Sequence, residues 1–252
     1  MKEILGEDEC NDTYGRIRMY QALVLKQPEH VEIPSERTVY RIMEETGISH
    51  PSKRKPNGIT KADREAGKSD DLLKRDFHAE EPLTKCVTDI TEIKGKDGKL
   101  YVSAVSDCFD SGAAGLAMDT SMKAPLCTQT LENAVKAYPG IRGAIIHSDR
   151  GSRYTSQLYR DAIRQYGIRQ SMNSAGGRCH DNARCESMRA RMKSELLYDR
   201  YDTEKMTTDE LRTVIWRYFI SCWNKRRICS ANGGLPPMVK RHQYYNSLKE
   251  AA

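Results

Sequence analysis

Three carboxylates in this 252-residue sequence sit where a carboxylate is either costly or chemically useful. Asp89 lies inside the β-branched run C-V-T-D-I-T-E-I at 86–93. A charge in the middle of a buried strand is expensive unless something pairs with it. Asp149 stands in H-S-D-R-G-S-R-Y-T-S at 147–156, just past a short apolar run. Strand ends of this kind are where ligands gather in α/β sheets. Glu186 falls near the start of a predicted helix. If the three converge, they repel one another unless a divalent cation neutralises them. An all-oxygen ligand set favours Mg²⁺ or Mn²⁺. Two such ions about 4 Å apart can activate a nucleophile and stabilise a leaving oxygen in phosphoryl transfer. Arg189 is one helical turn beyond Glu186, and Lys193 is two turns beyond on the same face. A metal-binding carboxylate with cations along one ridge suits a phosphodiester chain lying across the helix.

These residues need particular elements to bring them together. The run 86–93 reads as a strand, Gly95-Lys96-Asp97-Gly98 as a hairpin turn, and 100–108 and 112–118 as two further strands. A helix follows at 125–138, with Leu126, Leu131, Ala134 and Val135 facing inward. Residues 144–146 form a short strand ending at His147-Ser148-Asp149. Ser156 caps the next helix, and 168–172 is the last strand. After a loop at 173–180, Asp181 is expected to cap a helix running to about Leu197, and another helix covers roughly 207–224. A meander followed by alternating helices and strands implies a mixed sheet with helices on both faces. His147 either orients Asp149, contacts DNA or simply hydrogen-bonds a neighbour. Ser152, Tyr154 and Thr155 shape a turn and cap a helix, since nothing marks a basic partner or an oxyanion site for a serine nucleophile.

Ahead of this region the composition differs. Residues 1–13 are acidic and polar and are expected to fray. A helix is predicted over 14–26, with Ile17, Tyr20, Leu23 and Leu25 as its apolar stripe, and it breaks at Pro28. A second helix is capped by Ser35, buries Val39, Ile42 and Met43, and stops at Gly47. Two short helices fit a helix-turn-helix with Arg37, Tyr40 and Arg41 outward, and fit a plain helical docking hairpin equally well. Residues 50–75, with Pro51, Pro56, Gly58 and the basic run Lys53–Lys55, read as a linker. Three segments are therefore expected: 1–49 helical, 50–82 linking, and 83–252 a core with a helical C-terminal extension.

Charge follows the same division. The net charge is +6, from 41 Lys and Arg against 35 Asp and Glu. Residues 1–82 are net −3, whereas residues 142–241 are net +10. Mean hydropathy is −0.72, and no run approaches the roughly 20 apolar residues that span a bilayer. With no secretory segment at the N-terminus, a soluble, intracellular protein is expected. None of the eight cysteines forms a C-x-x-C pair, so buried thiols are expected rather than a metal knuckle or disulfides.

The strings V-T-D-I-T-E-I (87–93), A-I-I-H-S-D-R-G-S-R-Y-T-S (144–156), G-I-R-Q-S-M (167–172) and D-N-A-R-C-E-S-M (181–188) resemble insertion-sequence transposases. Specifically, they resemble the OrfB subunit of the insertion-sequence-three family, whose core is similar to retroviral integrases. The resemblance runs from about Tyr14 to Tyr245. It implies an α/β, RNase H-like integrase core built on a five-stranded mixed sheet. It also implies a D-D-E triad on Asp89, Asp149 and Glu186, with two Mg²⁺ (or Mn²⁺) ions. The implied activity is cleavage at element ends and joining of the 3′-OH to DNA. The implied partners are DNA, an OrfA subunit or fusion, and further copies of the chain, with no membrane. Arg37, Arg41, Arg150, Arg153, Arg189 and Lys193 are the expected DNA contacts. A nuclease of the same fold and a DNA-binding copy with a decayed core are the alternatives.

The spacing departs from the family's at one point. Asp89 and Asp149 are 60 positions apart, and Asp149 and Glu186 are 37 apart. The second interval is one longer than usual, with the extra residue placed in 174–178. Cys86 stands where the family carries Trp, and Met188 and Arg189 follow Glu186-Ser187 where a bulky aromatic is common.

Overall fold

The computed structural model describes residues 1–27, 31–49, 69–174, 182–198 and 200–250. The expected break at Pro28, linker residues 50–68 with Lys53–Lys55, the loop positions Cys179 and His180, and the Asp181 cap lie outside the described residues. The chain divides into two compact units. One is Met1–Pro56 together with Ser221–Ala252, and the other is Asn57–Ile220.

The first unit carries helices α1 (Lys2–Glu7), α2 (Arg16–Leu25) and α3 (Glu36–Glu45), and a C-terminal helix Pro237–Glu250. Ile4, Tyr14, Met19, Ala22, Val39, Met43 and Ile228 form its core. Three expectations change here. Residues 2–7 form a helix rather than a frayed end, because Ile4 is buried in that core. On α2, Met19 and Ala22 are fully buried and Tyr20 and Leu23 of the expected stripe pack partly against the core, while Ile17 and Leu25 are exposed. Cys10 and Cys222 are joined as a disulfide across 212 positions, with a Cα–Cα distance of 5.9 Å, which corrects the expectation of eight thiols. Sequence spacing gave no sign of this pair. Cys86, Cys108, Cys127, Cys185 and Cys229 are buried thiols, as expected.

In α3, Ser35 Oγ accepts the Thr38 amide, and Val39 and Met43 are buried as their spacing implies. Residues 26–35 separate α2 from α3, longer than the roughly three- or four-residue turn of a helix-turn-helix. Residues 221–252 fall with the N-terminal helices, not with the core to which the sequence pattern attached them.

The second unit is built on strands β1 (Lys85–Gly95), β2 (Gly98–Asp107), β3 (Ala113–Asp119), β4 (Ile145–Ser148) and β5 (Arg169–Met172). Their order is β3-β2-β1-β4-β5. The first three form an antiparallel meander, and β4 and β5 join parallel to β1. The hairpin turn falls on Lys96-Asp97, between Gly95 and Gly98. Helices α4 (Ala124–Ala137), α5 (Ser152–Thr155), α6 (Gln157–Gln165), α7 (Ala183–Met192) and α8 (Thr208–Arg217) complete the unit.

Strand alternation assigns the two faces. Cys86, Ile90, Val105, Ile146 and Met172 pack with α4, Tyr154 and α6 in the main core. Gly115 lets α4 lie directly on β3: a Cβ there would come within 2.5 Å of the Thr130 carbonyl oxygen. The opposite face carries a smaller cluster of Leu73, Ala79, Val87, Cys108 and Cys185, which seats α7. Asp89 shares the parity of Val87 and therefore belongs to the α7 face. The unit is thus an α/β mixed five-stranded sheet with helices on both faces. The helix expected over 207–224 is α8, opened by a Thr207–Glu210 capping box and continued by a π-helical turn at Tyr218–Trp223.

Candidate active site

Strand β4 is short, and that shortness opens the site. It pairs with β1 only at Lys85, Cys86 and Val87. Beyond Val87 the same edge of β1 has no strand neighbour, and its carbonyls at Thr88, Ile90 and Glu92 need donors. Helix α7 supplies them from one face. Asn182 Nδ2 donates to the Thr88 carbonyl at 3.3 Å, Arg189 Nη1 to Ile90 at 3.1 Å, and Lys193 Nζ to Glu92 at 3.1 Å. The helix therefore runs along the open edge of β1, and Glu186 is carried beside Asp89.

Asp89 is largely buried, its side chain 13% exposed. Its Oδ1 accepts the Ile90 amide at 2.7 Å, and its Oδ2 meets Arg189 Nη2 at 2.9 Å. Burial pushes its carboxyl up to about 6; Arg189 opposes that rise, while Asp149 and Glu186 add to it. Asp149 and Glu186 are thus both close enough to act electrostatically on Asp89.

Asp149 follows the end of β4, in the turn that leads to α5. Its Oδ1 accepts the Gly151 amide at 2.9 Å. A Cβ on Gly151 would lie 2.9 Å from that oxygen and 3.2 Å from Arg153 Nη2, so glycine is what lets the turn fold under the carboxylate beside Arg153.

Below the site, Tyr154 Oη lies 3.5 Å from Thr88 Oγ1 in the main core. Burial raises this phenol's pKa well above its ordinary value, so it is a neutral floor rather than a nucleophile. Cys127, which hydrogen-bonds Tyr154, is pushed up to about 12 by burial and is likewise a neutral thiol.

The donor chemistry suits a divalent cation: Asp89, largely buried, lies within electrostatic range of both the Asp149 and the Glu186 carboxylates. One further atom has the same character. Asn182 Oδ1 is buried with no hydrogen-bond partner, on a residue whose Nδ2 already holds the carbonyl next to Asp89. In the conformation described, however, no three His, Cys, Asp or Glu side chains among the described residues converge tightly enough to hold a metal ion. Arg189 is the cation in contact with Asp89.

The other expected DNA contacts lie in different settings. Lys193 is held at the β1 edge, and its pKa is lowered by burial and then by Arg189. Arg153 is half-buried beside Asp149, and its Nε lacks a partner. Arg150 is turned toward the Asn173 carbonyl. Arg37 and Arg41 are exposed on α3 in the other unit, where Arg41 lies 3.7 Å from Glu45.

His147 takes the third role considered for it. It is buried, with Nδ1 2.8 Å from Ser171 Oγ and Nε2 2.8 Å from Asn173 Oδ1. It also stands edge-on to Phe77, and Arg184 Nη1 donates to the Phe77 carbonyl at 2.9 Å. Arg184 was not singled out from sequence. It ties α7 to the segment leading into β1, and only the fold brings residues 107 positions apart into contact.

Comparison with known proteins agrees with this architecture. The integrase core domain family matches residues 79–177. A probable transposase for insertion sequence element IS1353 from Shigella flexneri is 36% identical over 209 residues, covering 82% of this chain. The chain spans only 40% of that relative's length. Transposase InsF for insertion sequence IS3A from Escherichia coli K12 is 30% identical over 201 residues, covering 80% of this chain and 68% of the relative. Among solved structures, a simian T-cell lymphotropic virus intasome bound to a PP2A regulatory subunit superposes with a TM-score of 0.54 at 16% identity. That alignment covers 91% of this chain and 71% of the other, and it supports the fold alone. No helix among the described residues is long and apolar enough to cross a membrane. A short β4, an open β1 edge and a helix carrying Glu186 along that edge are thus found in a chain that belongs to the insertion-sequence transposases with an integrase core.

Proposed function

We propose that the chain cleaves phosphodiester bonds at the ends of an insertion sequence and joins the freed 3′-OH to target DNA. The observation that carries this reading is that Asp89 stands on β1 and Asp149 directly follows the adjacent parallel strand β4, with Glu186 on the helix that covers β1's open edge. Asp89, Asp149 and Glu186 would hold Mg²⁺ or Mn²⁺. When bound, such ions supply the Lewis acidity that activates water or a 3′-OH and takes up charge on the leaving oxygen.

The chain's own groups account for the rest. The Gly151 amide fixes the Asp149 carboxylate, and the Ile90 amide fixes that of Asp89. Arg153 beside Asp149, Arg150 next to it in sequence and Lys193 at the β1 edge are proposed to offer positive charge to a phosphate backbone. No covalent bond between protein and DNA is required. In the other unit, α2 and α3, joined by a longer connection than a helix-turn-helix uses, are proposed to present Arg37 and Arg41 to DNA; of the region 50–82 only the part before Leu73 is proposed as a link, since Leu73 and Ala79 are buried against the sheet. OrfA, as subunit or fusion, and further copies of this chain on DNA are the proposed partners, in the bacterial cytoplasm.

A strand-transfer assay with labelled element ends, Mg²⁺ and the OrfA-fused chain tests this. The expected result is both a nicked product and a joined product. Nicking without joining would replace the transposase with a nuclease of the same fold. DNA binding with neither product would leave a DNA-binding protein with an inactive core.

A further inference from the structure

We propose that Arg189 is an exchangeable internal counter-ion that occupies Asp89 in the metal-free protein, competes with the metal for it, and is released to a DNA phosphate when the metal enters. The proposal rests on the reading of Asp89, Asp149 and Glu186 as a metal site.

Four observations lead to it. Asp89 is largely buried, its side chain 13% exposed, yet the group within contact distance of its Oδ2 is a guanidinium at 2.9 Å rather than a backbone donor. Arg189 reaches Asp89 from the same helix that carries Glu186, so the guanidinium and the Glu186 carboxylate approach Asp89 from one element. Its anchorage is divided: Nη2 meets Asp89 while Nη1 donates to the Ile90 carbonyl. Its side chain is 28% exposed, so one end of the fork can turn outward without unpacking α7, which is seated by buried Cys185, Met188 and Met192.

A guanidinium keeps its charge at any relevant pH. Arg189 and a divalent cation on the same carboxylate would therefore repel each other strongly in this partly desolvated setting. Metal entry thus requires Arg189 to leave Asp89, and its planar fork suits a phosphate oxygen pair. Because coupling between two ligands is reciprocal, DNA that captures Arg189 must tighten metal binding by the factor by which metal tightens DNA.

Isothermal titration of Mn²⁺ into the full chain, with and without a short DNA duplex, tests the exchange. Wild type is compared with Arg189→Met, Arg189→Lys and Asp89→Asn, each first checked for a wild-type melting curve. The expected result is Mn²⁺ binding about tenfold tighter in Arg189→Met than in wild type, one decade being a modest coupling between sites. Arg189→Lys, which keeps the charge, stays within about threefold of wild type. DNA tightens Mn²⁺ binding in wild type and not in Arg189→Met.

Equal or weaker Mn²⁺ binding by folded Arg189→Met overturns the proposal and leaves Arg189 as an edge clamp on β1. A gain in Arg189→Lys as large as in Arg189→Met also overturns it, because charge would then not be the cause. If Asp89→Asn binds Mn²⁺ as wild type does, the metal-site reading itself fails, and the exchange fails with it. Should Arg189→Met not fold, Arg189→Lys and the effect of DNA on wild type decide: no tightening by DNA overturns the proposal.

Discussion

Asp89, largely buried, and Asp107, fully buried, are carboxylates of the central sheet three rungs apart on the neighbouring strands β1 and β2, and they are held differently. Asp107 is fully buried at the end of β2, where Oδ2 accepts the Leu83 amide at 2.9 Å and Oδ1 the Phe109 amide at 3.0 Å. Asp110, in the same turn, accepts the Gly112 amide at 2.7 Å. Those donors belong to the backbone and cannot leave without unfolding the turn. Asp89 has one backbone donor and one side-chain cation, with two more carboxylates nearby. Burial alone therefore does not distinguish a functional acid from a structural one. What marks Asp89 is a side-chain cation that can leave without unfolding the strand, beside two further carboxylates.

The largest expected effect lies on the Asp89 side. Asp89→Asn, Asp149→Asn and Glu186→Gln should each lower cleavage and strand transfer by more than about a thousandfold, several kcal/mol of transition-state stabilisation. DNA binding, read by mobility shift, should persist. Wild-type strand transfer in any one of them would remove that residue from the triad.

On the Asp107 side the damage should be to folding. Asp107→Ala strands two backbone amides and should cost about 3 kcal/mol in urea unfolding. A cost near zero would mean that the turn is rebuilt easily and that the contrast between the two acids is overstated.

The next effect has the opposite sign. The folded state raises the Asp89 pKa from 3.8 to about 6, so it holds this proton more tightly than the unfolded chain does. The stability that this contributes is fully present below pH 3.8 and is lost as pH rises to about 6, a span of about 3 kcal/mol. Measured with chelator present, the stability of wild type minus that of Asp89→Asn should fall by that amount between about pH 3 and about pH 7. A difference that stays flat with pH would show that Arg189 already neutralises Asp89 completely.

The smallest effect concerns the edge of the site. Lys193→Ala should weaken binding to DNA ends and reduce the salt slope by about one unit. An unchanged slope would assign Lys193 solely to the Glu92 carbonyl.

Much of this was legible in sequence. The β-branched run around Asp89, the two-residue turn between glycines, the Ser35 and Ser156 caps and the apolar spacing of α4 are local signals, and they gave the elements to within a residue or two. The short apolar run ending at Asp149 also placed that carboxylate at a strand exit. Less local features were missed. The buried face of α2, the helix at Lys2–Glu7, the Cys10–Cys222 pair and the grouping of residues 221–252 with the N-terminal helices all depend on partners far along the chain. Arg189 illustrates the boundary. Its helical spacing from Glu186 put it on the right face, but spacing alone cannot tell a phosphate ligand from a partner of Asp89.

By itself, the sequence determined the residue types of the site, the elements that carry them and the family to which the chain belongs. Those depend on periodicity and on motifs a few residues long. Only the tertiary structure decided how far β4 extends along β1, and therefore which β1 carbonyls α7 must satisfy. It likewise decided that Asp107 meets amides while Asp89 meets a guanidinium. Compensation of a buried charge is a property of whatever surrounds it in space, and here those surroundings come from segments about a hundred residues apart in the chain.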